Sequence, residues 1–229
     1  MEISAKIEAR IERITPVRGG SALSVAICVE SGGESESRSV VISAEDYGEM
    51  RYLQPYAKAA GRALTLEQVD ALDEAAGKFA AIERGLYLLS FGDATEAGLA
   101  RKLREKGFDA SAASSAASAL AARGYIDESA QVERLLRAEL RKGRGPARIL
   151  AAAREKRFGD EAITHLRDAM AEVDFAAVCA AVIEKKYGSL PEEPKARQKA
   201  IAALMRQGFS LGEIKSARDA VPDPAEGSF

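Results

Sequence analysis

The 229-residue chain reads as a mainly α protein: tandem three-helix repeats forming an elongated array, with a small N-terminal antiparallel β element. Three observations predict this. First, Arg104-Glu105-Lys106-Gly107-Phe108 returns fifty residues later as Arg154-Glu155-Lys156-Arg157-Phe158, and after fifty-one more as Met205-Arg206-Gln207-Gly208-Phe209. A fixed period of this size marks one supersecondary unit stacked on copies of itself. Second, each aromatic is followed at offsets five, eight and twelve by an apolar residue: Ala113, Ala116 and Leu120; Ile163, Leu166 and Met170; Ile214, Ala217 and Val221. Steps of three and four place these on one helix face. Third, alanine is dense from 94 to 220, which favours helix, whereas residues 1–43 are rich in β-branched residues.

The elements follow in order. Ile3 to Thr15 alternates in part, with Ile7, Ala9, Ile11 and Arg13 two apart; Ser21 to Val29 places Leu23, Val25, Ile27 and Val29 on one face; Ser39 to Ile42 is a third short strand. Val17-Arg18-Gly19-Gly20 and Ser31-Gly32-Gly33-Glu34 supply the turns. Ser43-Ala44-Glu45-Asp46 and Thr65-Leu66-Glu67-Gln68 each open a helix as capping boxes, with Pro55 and Gly61 punctuating the link between them. A helix from Lys78 to about Ser90 presents Phe79, Ile82, Leu86 and Leu89. Asp93-Ala94-Thr95-Glu96 caps the helix leading to the first corner, Asp127 the helix after Tyr125, and Ser210-Leu211-Gly212-Glu213 the last one. Tyr125 and Phe175, fifty apart, are a second repeating aromatic. Gly107 and Gly208 suit the left-handed residue that ends a helix; Arg157 in that place implies a strained or differently built corner. Pro191-Glu192-Glu193-Pro194 is a loop, and Pro222 and Pro224 mark a frayed tail. The divisions are a β-containing segment at 1–62, helices leading into and forming the first repeat at 63–124, a second repeat at 125–173, and a third with the tail at 174–229.

Composition narrows the function. Hydrophobic residues make up 47% of the chain, enough for a folded core. Cys28 and Cys179 have no motif spacing and read as small buried hydrophobes. No signal peptide or long apolar run is evident, so a cytoplasmic location is expected, with no membrane partner. His165 is the sole histidine, which argues against an ordinary metal site; it reads as structural. No nucleophile pairing or phosphate loop is present, and Gly143-Arg144-Gly145 is too short for a nucleotide fingerprint. The chain is expected not to be an enzyme and to need no cofactor.

Charge is the informative signal. The whole chain is −2, yet residues 134–157 hold Arg134, Arg137, Arg141, Lys142, Arg144, Arg148, Arg154, Lys156 and Arg157 against Glu139 and Glu155 alone, a local +7. Gly143, Gly145 and Pro146 divide this stretch, with Pro146 suited to the first turn of a new helix and Gly145 to its cap. One reading is a solvated helical face. The other is a surface for an acidic partner or for DNA phosphate, with Lys102 and Arg104 before the first corner as further candidates.

Several blocks carry a family resemblance: Ala97-Gly98-Leu99-Ala100-Arg101-Lys102-Leu103-Arg104-Glu105-Lys106-Gly107-Phe108, Gly124-Tyr125-Ile126-Asp127-Glu128, Lys142-Gly143-Arg144-Gly145-Pro146-Ala147-Arg148-Ile149, and Arg206-Gln207-Gly208-Phe209-Ser210. Over about residues 78–221 the chain resembles the RecX family, bacterial regulators of the RecA recombinase. It departs at Arg157, where glycine is usual, and at Ser111 to Ala119, which is poor in large side chains and leaves the first unit a thin core. The resemblance implies binding to RecA, as monomer or as filament on single-stranded DNA. It implies restraint of ATPase activity and strand exchange in homologous recombination, DNA repair and the SOS response. A monomer is expected. The alternative is a helical-repeat protein that binds single- or double-stranded DNA directly through its basic segment.

Overall fold

The computed structural model describes residues 8–220. The expected strand start at Ile3 and Ile7, the end of the third unit at Val221, and Pro222 and Pro224 lie outside the described residues. Mostly helix, with one small antiparallel sheet at its start, the chain has the predicted fold class. It divides into two compact units, one of the described residues up to Gly92 with Leu99–Tyr125, the other of Asp93–Gly98 with the residues from Ile126 on.

In the first unit, β1 (Glu8–Val17), β2 (Ala22–Ser31), β3 (Glu34–Ser43) and β4 (Ala63–Leu64) form an antiparallel sheet ordered β3-β2-β1-β4. A bulge in β1 between Ile11 and Arg13 resets the alternation, so Ile11 and Ile14 are buried and Arg13 is exposed. The third strand is longer than its apolar run suggests. Gly32 and Gly33, at φ 61° and 88°, make a tight turn that pairs Ser31 with Glu34 at once. The helix α1 (Ala44–Glu49) starts at Ser43, whose Oγ accepts from the Asp46 N–H.

Next comes α2 (Leu66–Leu89), opened by the Thr65–Gln68 capping box. It is one helix of 24 residues, where the sequence suggested a second start near Lys78. It packs on β3, and its Leu72 joins Ile11, Ile27, Ile42 and Leu53 in a fully buried cluster. Its other side receives α4 (Ala110–Ala122). The alanine-rich stretch that suggested a thin core is resolved by close approach. Ala112, Ala113, Ala116 and Ala117 are all buried, and a Cβ on Gly85 would lie 2.6 Å from Leu120 Cδ1.

In the second unit, α5 (Glu128–Arg141) packs against α7 (Asp160–Ala171), with α6 (Pro146–Glu155) between them in sequence. Likewise α8 (Phe175–Tyr187) packs against α10 (Leu211–Ala220), with α9 (Pro194–Arg206) between. One core serves both sets, including Val132, Leu136, Ile149, Leu166, Cys179, Ile183, Leu204, Phe209 and Ile214.

The corners repeat to the hydrogen bond. After α3 (Glu96–Glu105), Phe108 N–H donates to Leu103 O and Gly107 N–H to Arg104 O; Phe158 and Arg157 do so to Ala153 O and Arg154 O; Phe209 and Gly208 do so to Leu204 O and Met205 O. This is the paired closure that ends helices in a left-handed residue. Gly107 and Gly208 have φ 93° and 99°, and Arg157 takes φ 58°, so the middle corner is built the same way with a strained residue.

Candidate functional site

The helices divide the basic run into clusters. Arg134, Arg137 and Arg141 lie on α5 and Lys142 caps it; Arg144 sits in the turn before α6; Arg148 and Arg154 lie on α6; Lys156 and Arg157 form the corner after it. Ten residues of helix span about 15 Å, so α6 separates Arg144 from the Arg154-Lys156-Arg157 cluster by roughly that length. Lys102 and Arg104 occupy the last turn of α3. Many of these cations crowd helix C-termini, where the macrodipole favours positive charge.

Four of the eleven candidates are engaged. Arg134 pairs with Asp93 at 2.5 Å, Arg137 with Glu133 at 3.5 Å, Lys142 with the buried Glu139 at 2.5 Å, and Arg148 with Glu155 at 3.6 Å. The other seven, Lys102, Arg104, Arg141, Arg144, Arg154, Lys156 and Arg157, have no ion-pair partner among the described residues. Arg144 is half-buried, as Lys102 is, and differs from the rest in that its Nε is enclosed and without a hydrogen-bond partner.

That half-burial has a cause the sequence does not show. The turn before α6 is the seat of the third corner. Gly145 N–H donates to Gln207 O at 2.9 Å and Ala147 N–H to Gly208 O at 3.2 Å. A Cβ on Gly145 would stand 2.4 Å from the Gly208 carbonyl carbon, and one on Gly143 would stand 2.5 Å from Val182 Cγ2. The glycines flanking Arg144 thus admit backbone and side chains at contact distance. Gly145 does cap α6 with Pro146 at its first position, as its sequence indicates.

The second corner is seated in the same manner. Fifty residues before Gly145, Thr95 Oγ1 donates to Lys156 O at 3.0 Å and accepts from Gly98 N–H at 3.0 Å, which makes Thr95 the cap of α3. Asp93, in the predicted cap, is instead the partner of Arg134. Beside this contact the Glu128 carboxylate accepts from Glu96 N–H and from Gly159 N–H, each at 2.7 Å. A helix start resting on the carbonyls of a corner is therefore a joint used twice.

His165 on α7 meets Glu133 on α5 at 3.1 Å at the partly exposed surface. Both cysteines are buried, and burial, with the Glu213 charge adding to it, pushes the Cys179 thiol up to about 11. Among the described residues no cluster of three or more His, Cys, Asp or Glu could hold a metal ion, and no helix is long and apolar enough to cross a membrane.

Aromatic exposure is what sequence reading missed. Phe91 is 74% exposed and Tyr87 53%, edge to face at 4.9 Å, and Tyr87 carries the Arg84 guanidinium 4.8 Å from its ring centroid. Phe79 and Tyr87 are eight apart on α2, a spacing that already marks one face.

Comparison with known proteins matches these features. Residues 172–217, which hold the third corner, match the family described as RecX, third three-helix domain. The chain is 30% identical over 145 residues to the regulatory protein RecX of Halorhodospira halophila, covering 63% of this chain and 89% of that one. It is 32% identical over 126 residues to regulatory protein RecX of Pseudomonas entomophila, covering 53% and 80%. In fold it is similar to a crystal structure of regulatory protein RecX, with a TM-score of 0.63 at 21% identity over 92% of this chain and 99% of that one. It is also similar to RecX from Lactobacillus salivarius, with a TM-score of 0.54 at 17% identity over 63% and 96%.

Proposed function

The chain belongs to the RecX family of regulatory proteins, and from that premise we propose that it restrains a RecA-type recombinase. It acts in the cytoplasm as a monomer, binding along the recombinase filament on single-stranded DNA and slowing ATP hydrolysis and strand exchange, in recombination, repair and the SOS response.

The observation that supports this reading is the set of seven candidate cations without ion-pair partners among the described residues. Arg154, Lys156 and Arg157 are the best placed of them, because all three are exposed at one corner. Such charges meet an acidic recombinase surface and set association rate and register more than raw affinity. Repeated helical units along the chain let one molecule engage several filament subunits, which raises avidity without a single strong contact.

The test is DNA-stimulated ATP hydrolysis by the recombinase. Sub-stoichiometric protein slows it; an unchanged rate at equimolar protein refutes the proposal. The second reading, direct DNA binding, draws on the same exposed cations. It predicts tight binding to DNA without recombinase, with log affinity falling by about 0.7 per phosphate contact per log unit of salt on a single strand.

A further inference from the structure

Among the described residues, the first corner is the one whose carbonyls lie bare. At the second, Lys156 O accepts from the residue that caps α3; at the third, Gln207 O and Gly208 O accept from the first amides of α6. The equivalent carbonyls of Lys106 and Gly107 accept from no group among the described residues, and a Cβ on Gly107 would meet nothing within 4 Å. Phe209 is 3% exposed under its joint; Phe108, half-buried like Phe158, lines an open groove of about 640 Å³. That groove is walled by Val40 and Val41 of β3 and by Phe79, Ala80 and Tyr87 of α2. At its rim Arg18 pairs with Glu83 and lies 5.5 Å from the Phe79 ring centroid.

We propose that this groove and corner receive the N-terminus of an α-helix of the recombinase, one whose first turn carries carboxylates. Two features select that occupant. The chain itself seats a helix start on the same corner twice. The first corner also closes the C-terminus of α3, whose bare carbonyls and dipole favour the amide end of another helix. Charge then selects the sequence of that helix: Lys102, Arg104 and Lys106 surround the corner without ion-pair partners among the described residues. The apolar walls take a side chain from the same helix. Single-stranded DNA is the less suited occupant, since its phosphates bring no amide N–H to the bare carbonyls.

The proposal rests on the regulatory reading above, and its test separates the two. Ala80 is exposed on the groove wall, so Ala80→Trp fills the groove from outside the core. We expect the full-length variant to keep its helicity and unfolding midpoint and to lose about tenfold or more in affinity for the recombinase, as loss of a central anchor does. Ala80 replaced by the photocrosslinker p-benzoylphenylalanine should attach to the first two turns of a recombinase helix, located by mass spectrometry. Undiminished affinity in Ala80→Trp, or crosslinks to DNA or to non-helical recombinase segments, overturns the groove assignment alone. If the unaltered protein neither binds nor slows the recombinase, the regulatory reading falls and the assignment with it.

Discussion

Gly145 and Gly208 meet backbone to backbone: a Cβ on either would lie 2.4 Å from a main-chain atom across the contact. This pair joins the basic turn to the third corner, and it gives the two repeat glycines, Gly107 and Gly208, different physical burdens.

Gly208→Ala is expected to cost about 2–4 kcal/mol, adding a left-handed penalty to an overlap with the Arg148 backbone. Gly107→Ala has open space and meets only the first term, about 1–2 kcal/mol. Urea unfolding of both variants checks the difference; equal losses would remove the close contact from the account.

Arg157 holds φ 58° with an exposed side chain. Arg157→Gly is expected to relieve left-handed strain but to loosen the unfolded chain, leaving a net gain of up to about 1 kcal/mol. An unfolding midpoint lower than that of the unaltered protein would contradict this.

Reversing Arg154, Lys156 and Arg157 to Glu is expected to weaken suppression of recombinase ATPase with little change in stability. Reversing Arg144 is expected to destabilise the fold, since its guanidinium is partly enclosed at the joint. Reversing Arg148 breaks its pair with Glu155 as well. Parallel ATPase and thermal-unfolding measurements distinguish a contact residue from a joint residue.

Cys179 is expected to resist thiol reagents in the native protein at pH 8. Its folded-state value, raised from 9.0 to about 11, stabilises the fold below the unfolded value, and that contribution is lost as pH rises from about 9 through 11. Comparing unfolding free energies of the unaltered protein and Cys179→Ala across pH 8–11 should show the gap narrowing as pH rises. A constant gap would count against the raised value.

The corners, the caps at Ser43, Thr65, Asp127 and Ser210, and three of the four strands are legible in sequence because each is set by neighbours in the chain, whereas β4 is set by its pairing with the distant Ala9 and Arg10. Where long-range packing decides, reading fails. Nothing near Arg144 announces that Gln207 and Gly208 will sit on its turn, so it reads like Arg154 although only one of them is fully free. The alanines of α4 read as a thin core because their spacing from α2 depends on Gly85, some thirty residues earlier. The paired arginines are likewise indistinguishable from the unpaired ones until Asp93 and Glu155 are placed.

Because Gly208 answers to Arg148 while Arg157 answers to solvent, the repeats are not interchangeable parts. Grafting the second corner into the third position would drive an arginine Cβ into main chain, although the two corners share every closing hydrogen bond. An internal duplication that copied the middle unit to the end of the array would have to recover a glycine there before it could fold, so the order of the units is itself inherited information.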